Sequence, residues 1–99
     1  MTVFAIVGDL MDRARIDEAI LGVQHVTAGT IGHLANEGDL VLVDLLRMGP
    51  SVALAVATGA RVVGFAPHVD DEALARAVAL GVVALPRSVF FRRLPELAP

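Results

Sequence analysis

Short apolar runs alternate with helix-like segments along the chain, and this alternation is the feature that most restricts its fold. Five segments are predicted to be β-strands, over residues 3–7, 23–27, 40–43, 61–66 and 82–85, of which 23–27 alternates only weakly and is predicted to be an edge strand. A strand that is buried on both faces of a parallel sheet is apolar throughout, and the run 40–43 is of this kind. Because helical segments separate the runs, the sequence predicts right-handed crossovers and a parallel sheet.

The segments between the runs carry the start and stop signals of helices. The predicted helices cover residues 12–21, 30–36, 51–58, 71–80 and 89–94. Pro50 suits the first position of the third helix, Gly59 and Gly81 suit helix ends, and Pro95 is predicted to end the last helix. The expected fold is a single α/β domain over residues 1–99, a three-layer α/β/α sandwich of the flavodoxin-like (βα)₅ type with strand order 2-1-3-4-5.

The composition restricts the classes of partner. Apolar residues make up 56% of the chain, and its mean hydropathy is +0.70, which is high for so small a domain. We therefore expect apolar surface that a protein partner or a second copy covers, and we predict a homodimer. The apolar helix 51–58 and the face from the fourth strand to the last helix are both open as its interface. No apolar run reaches the length of about 18 residues that a membrane span needs.

The charge pattern argues against nucleic acid as a partner. The net charge is −3, and all eight basic residues are arginines that form no continuous positive stripe. The chain also has no Tyr or Trp on which bases could stack. It has no cysteine, which excludes disulfides and thiolate metal sites and favours a cytoplasmic location.

Charged residues are predicted to meet at one edge of the sheet. Asp9 follows the first strand, Asp44 ends the third, His68 and Arg87 follow the fourth and fifth, and Asp12 lies near the start of the first helix. The carboxyl ends of parallel strands share one edge, which is where open α/β sheets bind ligands. Since carboxylate oxygens suit hard cations, this edge is a candidate Mg²⁺ site.

With these residues in place, the chain resembles the receiver domains of two-component response regulators over nearly its full length. Segment 39–45, Asp-Leu-Val-Leu-Val-Asp-Leu, is similar to the phosphoacceptor strand of that family, and Gly8-Asp9 stands where the family has an acidic pair. Segments 79–81 and 85–88 are similar to the stretch that leads to the Lys-Pro turn of the family. The resemblance implies that Asp44 accepts a phosphoryl group from a histidine kinase and that Asp9, with Asp12 as a substitute, holds Mg²⁺.

The sequence departs from the receiver pattern at several positions. Gly8 replaces one acid of the pair, and Ala66 stands near the place of the Thr or Ser that senses the phosphoryl group. Arg87 replaces the Lys that pairs with the phosphoryl group, and Ser88 replaces the following proline. Arginine keeps the charge but has a different reach and shape, so this exchange is not conservative.

These departures predict a stand-alone pseudo-receiver, which regulates through protein–protein contacts and is not an enzyme. The first alternative is a working single-domain response regulator, phosphorylated on Asp44 with Mg²⁺. The second is a small acid–base or phosphatase-type enzyme that uses Asp44, His68 and Arg87. Structural roles are also open: Asp44 could cap a turn or pair with Arg87, and Asp12 could be the N-cap of the first helix.

Overall fold

The computed structural model describes residues 1–67 and 70–97 and contains five strands there: β1 (Val3–Ile6), β2 (Gln24–His25), β3 (Leu40–Asp44), β4 (Arg61–Ala66) and β5 (Val83–Pro86). They form one parallel sheet in the order β2-β1-β3-β4-β5. The α-helices of the same residues are α1 (Leu10–Ala19), α2 (Ala28–Leu34), α3 (Val52–Val56), α4 (Asp71–Ala79) and α5 (Arg87–Leu97). The predicted flavodoxin-like topology is confirmed.

The central strand β3 places Asp44 at the carboxyl edge of the sheet. All five residues of β3 are buried, as its unbroken apolar run predicts for a strand covered on both faces. The strand pairs with β1 through Val3 opposite Leu40 and with β4 through Asp44 opposite Phe65. Asp44 is therefore a buried carboxylate at the end of the strand.

Helices cover both faces of the sheet and form two separate apolar cores. The first core joins α2, α3 and α4 to one face, with Ile31, Val52 and Ala77 among its buried residues. The second joins α1 and α5 to the opposite face through Ile16 and Phe90 and their neighbours. The predicted three-layer arrangement is confirmed.

Helix α1 begins earlier than predicted. Asp9 has an extended backbone with φ −75° and ψ 125°, and its side chain caps the helix. The prediction that Asp12 is the N-cap is therefore wrong, because Asp12 already lies in the first turn. The apolar residues Leu10 and Met11 are highly exposed in this turn, so apolar periodicity could not reveal where the helix starts.

Helix α5 is longer than predicted. It begins at Arg87 and continues through Pro95 to Leu97. Proline weakens the last turn because it cannot donate a backbone hydrogen bond. Both Leu94 and Leu97 are buried in that turn, and their packing holds the segment helical.

Helix α3 is shorter than predicted and is buried on one side. A 3-10 turn at Gly49–Ser51 precedes it, with Pro50 near the start of that turn. Val52 and Ala55 are buried, whereas Leu54 is about half exposed. Within residues 1–67 and 70–97, no helix is long and apolar enough to cross a membrane.

Candidate functional site at the carboxyl edge of the sheet

An open pocket of about 220 Å³ lies at the carboxyl edge of the sheet. It is bounded by the ends of β3 and β4 and by the starts of α1 and α5. Its lining consists of Asp9, Asp12, Asp44, Leu46, Arg47, Phe65, Pro67 and Arg87. The structure thus brings together the three carboxylates and the arginine that the sequence predicted at this edge.

Asp44 caps the turn that follows β3. Its Oδ1 accepts hydrogen bonds from the backbone N–H groups of Leu46 at 3.1 Å and Arg47 at 3.2 Å. A strand-terminal Asp commonly has this role, and it was one of the two structural roles open from the sequence. No described hydrogen bond reaches Oδ2, so that oxygen is the one available to a ligand.

One carboxylate oxygen of Asp9 caps helix α1, and the residue also lines the pocket. Its Oδ1 accepts from the N–H of Met11 at 2.8 Å and, more weakly, from that of Asp12 at 3.4 Å. These bonds satisfy N–H groups that have no partner inside the helix, and the negative charge also complements the helix dipole. Asp9 thus has a structural role that accounts for its position without a metal.

Asp12 pairs with Arg87 across the top of the second core. Nη1 of Arg87 donates to Oδ2 of Asp12 at 2.8 Å, and Nη2 donates to Oδ1, so the contact uses both carboxylate oxygens. The Asp12 side chain is only 3% exposed, whereas that of Arg87 is 40% exposed. Two parallel bonds of this kind fix geometry as well as charge.

The surroundings of Arg87 stabilise its charged form. The hydrogen bond to Asp12 raises the pKa of Arg87, partial burial opposes this, and the charges of Asp12, Asp44 and Asp9 add to the rise. The guanidinium also lies over the ring of Phe91, 4.8 Å from its centroid, and 5.7 Å from that of Phe65. Aromatic faces attract cations at such distances, so the rings give Arg87 a defined place.

Because Gly8 has no side chain, Met48 in the loop after β3 can occupy the space beside it. A Cβ built on Gly8 would come within 3.1 Å of Cε of Met48, which follows β3. A larger residue at this position therefore requires the flexible end of Met48 to shift slightly. Where the receiver pattern has the first acid, this chain therefore has Gly8, and the apolar side chain of Met48 lies beside it.

Ala66 does not line the pocket. It is fully buried at the end of β4 and belongs to the core beneath α2, α3 and α4. Its neighbours Phe65 and Pro67 line the pocket instead. The position that the resemblance assigns to a phosphoryl-sensing hydroxyl therefore carries an apolar group that faces the core.

The donor set of the pocket fits Mg²⁺ poorly. Asp9 and Asp44 each offer one oxygen that is not used by a backbone cap, and Asp12 is bound by Arg87. In the described part of the chain, no three His, Cys, Asp or Glu side chains are grouped so as to hold a metal ion. The guanidinium of Arg87 would also repel a divalent cation. His68, proposed as an acid–base group, lies outside the described residues.

Sequence reasoning did not anticipate the pair of Asp12 with Arg87, although one signal was present. Asp12 lies four residues before Ile16, and both are buried on the same side of α1. A carboxylate on the buried side of a helix needs a partner, and Arg87 follows the strand that ends at the same edge. The aromatic contacts of Arg87 could not be predicted, since they depend on how α5 packs.

Comparisons of the chain with protein-family models, with curated proteins and with solved structures found no match.

Proposed function

We propose that this chain is a receiver-like regulatory module with a degenerate phosphorylation site, acting through contacts with a protein partner or with a second copy of itself. The observation that carries the proposal is the two-bond pair between Arg87 and Asp12. In the receiver pattern, the cation at the position of Arg87 is the one that pairs with the phosphoryl group. Here a carboxylate of the same chain already binds it.

The energetics of this pair favour a site that does not switch. Releasing Arg87 toward a phosphoryl group would leave the buried carboxylate of Asp12 without its partner. An unpaired buried charge is strongly unfavourable, so the gain from the new contact would be largely offset. Ala66, at the end of β4, faces the core and has no hydroxyl that could hydrogen-bond a phosphoryl group. Phosphorylation would therefore not be transmitted to this strand. The domain thus keeps one conformation.

The distribution of apolar surface supports action through contacts. Leu10 and Met11 lie exposed beside the pocket, and Val78, Leu80 and Val83 lie exposed at the end of α4 and on the adjacent edge strand. Large exposed apolar side chains that are close together are typical of interaction surfaces. We predict a homodimer, and sedimentation over a concentration series tests it. A monomer at every concentration would leave only a different protein as the partner.

One observation favours a working response regulator as the second candidate. Oδ2 of Asp44 receives no described hydrogen bond and belongs to the pocket that Asp9 also lines. That oxygen is the atom through which an aspartate would accept a phosphoryl group from a histidine kinase. Under this alternative, Mg²⁺ would neutralise the charge during transfer, although the pocket fits the cation poorly.

Beryllofluoride, which mimics an aspartyl phosphate, separates the two candidates. We expect that amide NMR spectra of the protein with Mg²⁺ and beryllofluoride stay unchanged up to millimolar concentration. Saturable shifts around Asp44 that disappear in Asp44→Asn would instead establish the working regulator and overturn the degenerate site.

A double variant tests why beryllofluoride is expected to cause no NMR shifts. Gly8→Asp with Arg87→Lys returns the missing acid and shortens the cation that Asp12 binds, and the flexible end of Met48 can yield to the new side chain. We expect this double variant to gain Mg²⁺-dependent shifts that Asp44→Asn removes. If the double variant is folded and still shows no shifts, these two positions do not explain the lack of beryllofluoride binding, and the proposal loses its support.

A further inference from the structure

A groove separates α3 from α4 on the face of the sheet that these two helices and α2 cover. We name it the α3–α4 groove, and its lining is Leu45, Leu46, Gly49, Pro50, Val52, Ala73, Arg76, Ala77 and Leu80. Helix α3 has only five residues, and α4 presents Ala73 and Ala77 to the groove, one turn apart. Because α3 is short and α4 presents only alanine methyl groups here, the space between the two helices stays unfilled.

The chemistry of the α3–α4 groove is apolar with a single charge. Buried residues such as Leu45 and Val52 form its floor, while Leu46 and Leu80 are about half exposed at its rim. Among the described residues, Arg76 is the only ionisable one that lines the groove. Its side chain is 67% exposed, and its one described ion pair, with Glu72 at 3.7 Å, is long. Exposed pairs of this kind are weak, so the guanidinium is available to another anion.

The size of the α3–α4 groove limits the occupant to a small molecule. Its volume is about 370 Å³, near the lower end of the range for ligand pockets. At about 30 Å³ for each water-sized group, it has room for roughly a dozen non-hydrogen atoms. A stable protein interface needs roughly 800 Å² on each partner, and charged Asp71 and Glu72 interrupt the surface beside the groove.

We propose that the α3–α4 groove binds a small amphiphilic monocarboxylate, whose apolar tail lies over Leu45, Ala73 and Ala77 and whose carboxylate pairs with Arg76. An apolar floor favours a hydrocarbon or aryl tail, and the single guanidinium at the rim favours one negative charge. This site is independent of the carboxylate pocket, although Leu46 contributes to the lining of both. The inference therefore stands whether or not the domain is a pseudo-receiver.

Octanoate is a suitable probe because it has roughly the number of atoms that the groove admits. In an amide NMR titration of the full chain, we expect saturable shifts confined to residues around the groove. Octanol should cause the same shifts at several-fold higher concentration, and octylamine should bind least, because Arg76 repels it. Equal affinity for octylamine and octanoate would overturn the choice of a carboxylate. The absence of saturable shifts with all three probes would overturn the site.

Two matched pairs of variants locate the site. Arg76→Gln should weaken octanoate roughly fivefold without changing octanol binding, since an exposed ion pair contributes little more than this. Arg93→Gln is its control, because Arg93 has a similar helical pair with Glu96 on the opposite face of the sheet.

Leu80→Glu places a negative charge at the rim and should reduce octanoate binding at least tenfold. Leu21→Glu is its control, because Leu21 is an exposed apolar residue that follows α1 and does not line the groove. Both residues are exposed, so both variants are expected to fold. Equal losses of octanoate binding in the two variants would show a general charge effect and remove the groove as the site.

Discussion

Arg87 at the start of α5 donates hydrogen bonds from both terminal nitrogens to the carboxylate of Asp12 on α1. The two residues are 75 positions apart, and they connect the first and last helices of the second core. A second contact supports the same connection, because the guanidinium of Arg15 lies 3.9 Å from the ring centroid of Phe91. The arginine of the carboxylate pocket thus also holds two helices together.

This relationship predicts a clear effect of Arg87→Met on stability. The substitution keeps the aliphatic stem but leaves the carboxylate of Asp12 buried without a cation. We expect the free energy of unfolding to fall by about 2 kcal/mol, less than for a fully buried pair, because Arg87 is partly exposed. Urea denaturation at neutral pH measures the change.

Two further variants interpret that measurement. Arg93→Met breaks an exposed pair with Glu96, and we expect a loss of about 0.5 kcal/mol or less. Asp12→Leu combined with Arg87→Met removes both charges and should recover most of the loss, because replacing a buried pair by apolar groups is often neutral. A double variant at least as unstable as Arg87→Met alone would contradict the loss of the pair as the cause.

The capping role of Asp44 predicts a difference between two substitutions. Asp44→Ala removes the acceptor of the Leu46 and Arg47 N–H groups and should cost about 1–2 kcal/mol. Asp44→Asn keeps an oxygen in that position and should cost less than half as much. Thermal denaturation of both variants tests this order, and equal losses would mean that the charge of Asp44, rather than its hydrogen bonds, stabilises the turn.

Much of the fold could be predicted because burial on both faces leaves a simple pattern. The strands β3 and β4 are apolar runs, and the glycines at the predicted ends of α3 and α4 adopt left-handed backbone angles, with φ +82° at Gly59 and +84° at Gly81. The helix ends were less predictable where exposed apolar residues disturbed the pattern, as Leu10 does in α1, or where packing overrides a proline, as at Pro95.

The candidate site could be predicted as a set of residues but not as a set of contacts. Parallel strands bring Asp9, Asp44 and Arg87 to one edge whatever the details of packing. Which carboxylate binds the arginine depends on the side of α1 that faces the sheet. Asp12 shares that side with Ile16, but the role of N-cap predicted for Asp12 concealed its pairing with Arg87.

Asp39 predicts a dependence of stability on pH. Its carboxylate accepts hydrogen bonds from the N–H groups of Thr2 at 2.9 Å and Asn36 at 2.9 Å. These bonds, the one from Thr2 first, lower the pKa of Asp39 below its usual 3.8 in the folded protein. A carboxylate with a lower pKa in the folded state stabilises that state above its unfolded pKa, and this contribution disappears as pH falls through the folded pKa.

The comparison of wild type with Asp39→Asn isolates this contribution. We expect the variant to be less stable at pH 6 and the difference to shrink as pH falls below about 4, because protonation then neutralises Asp39 in the wild type as well. Denaturant unfolding at a series of pH values measures it. Glu18→Gln, at an exposed position of α1, is the control and should show no such trend. A difference that is constant with pH would contradict the role assigned to the charge.

Gly64 and Leu45 predict a substitution that the core cannot accept. A Cβ on Gly64 in β4 would lie 2.6 Å from Cγ and 2.9 Å from Cδ1 of the buried Leu45 side chain, which would have to leave its present position. Gly64→Ala should therefore cost about 1–3 kcal/mol through overpacking. Gly32→Ala in α2 is the control: its Cβ meets open space, and replacing a helical glycine should stabilise the protein by about 0.5–1 kcal/mol. If the clash is the cause, Leu45→Ala will cost less in the Gly64→Ala background than in the wild type, and equal costs in denaturant unfolding would contradict it.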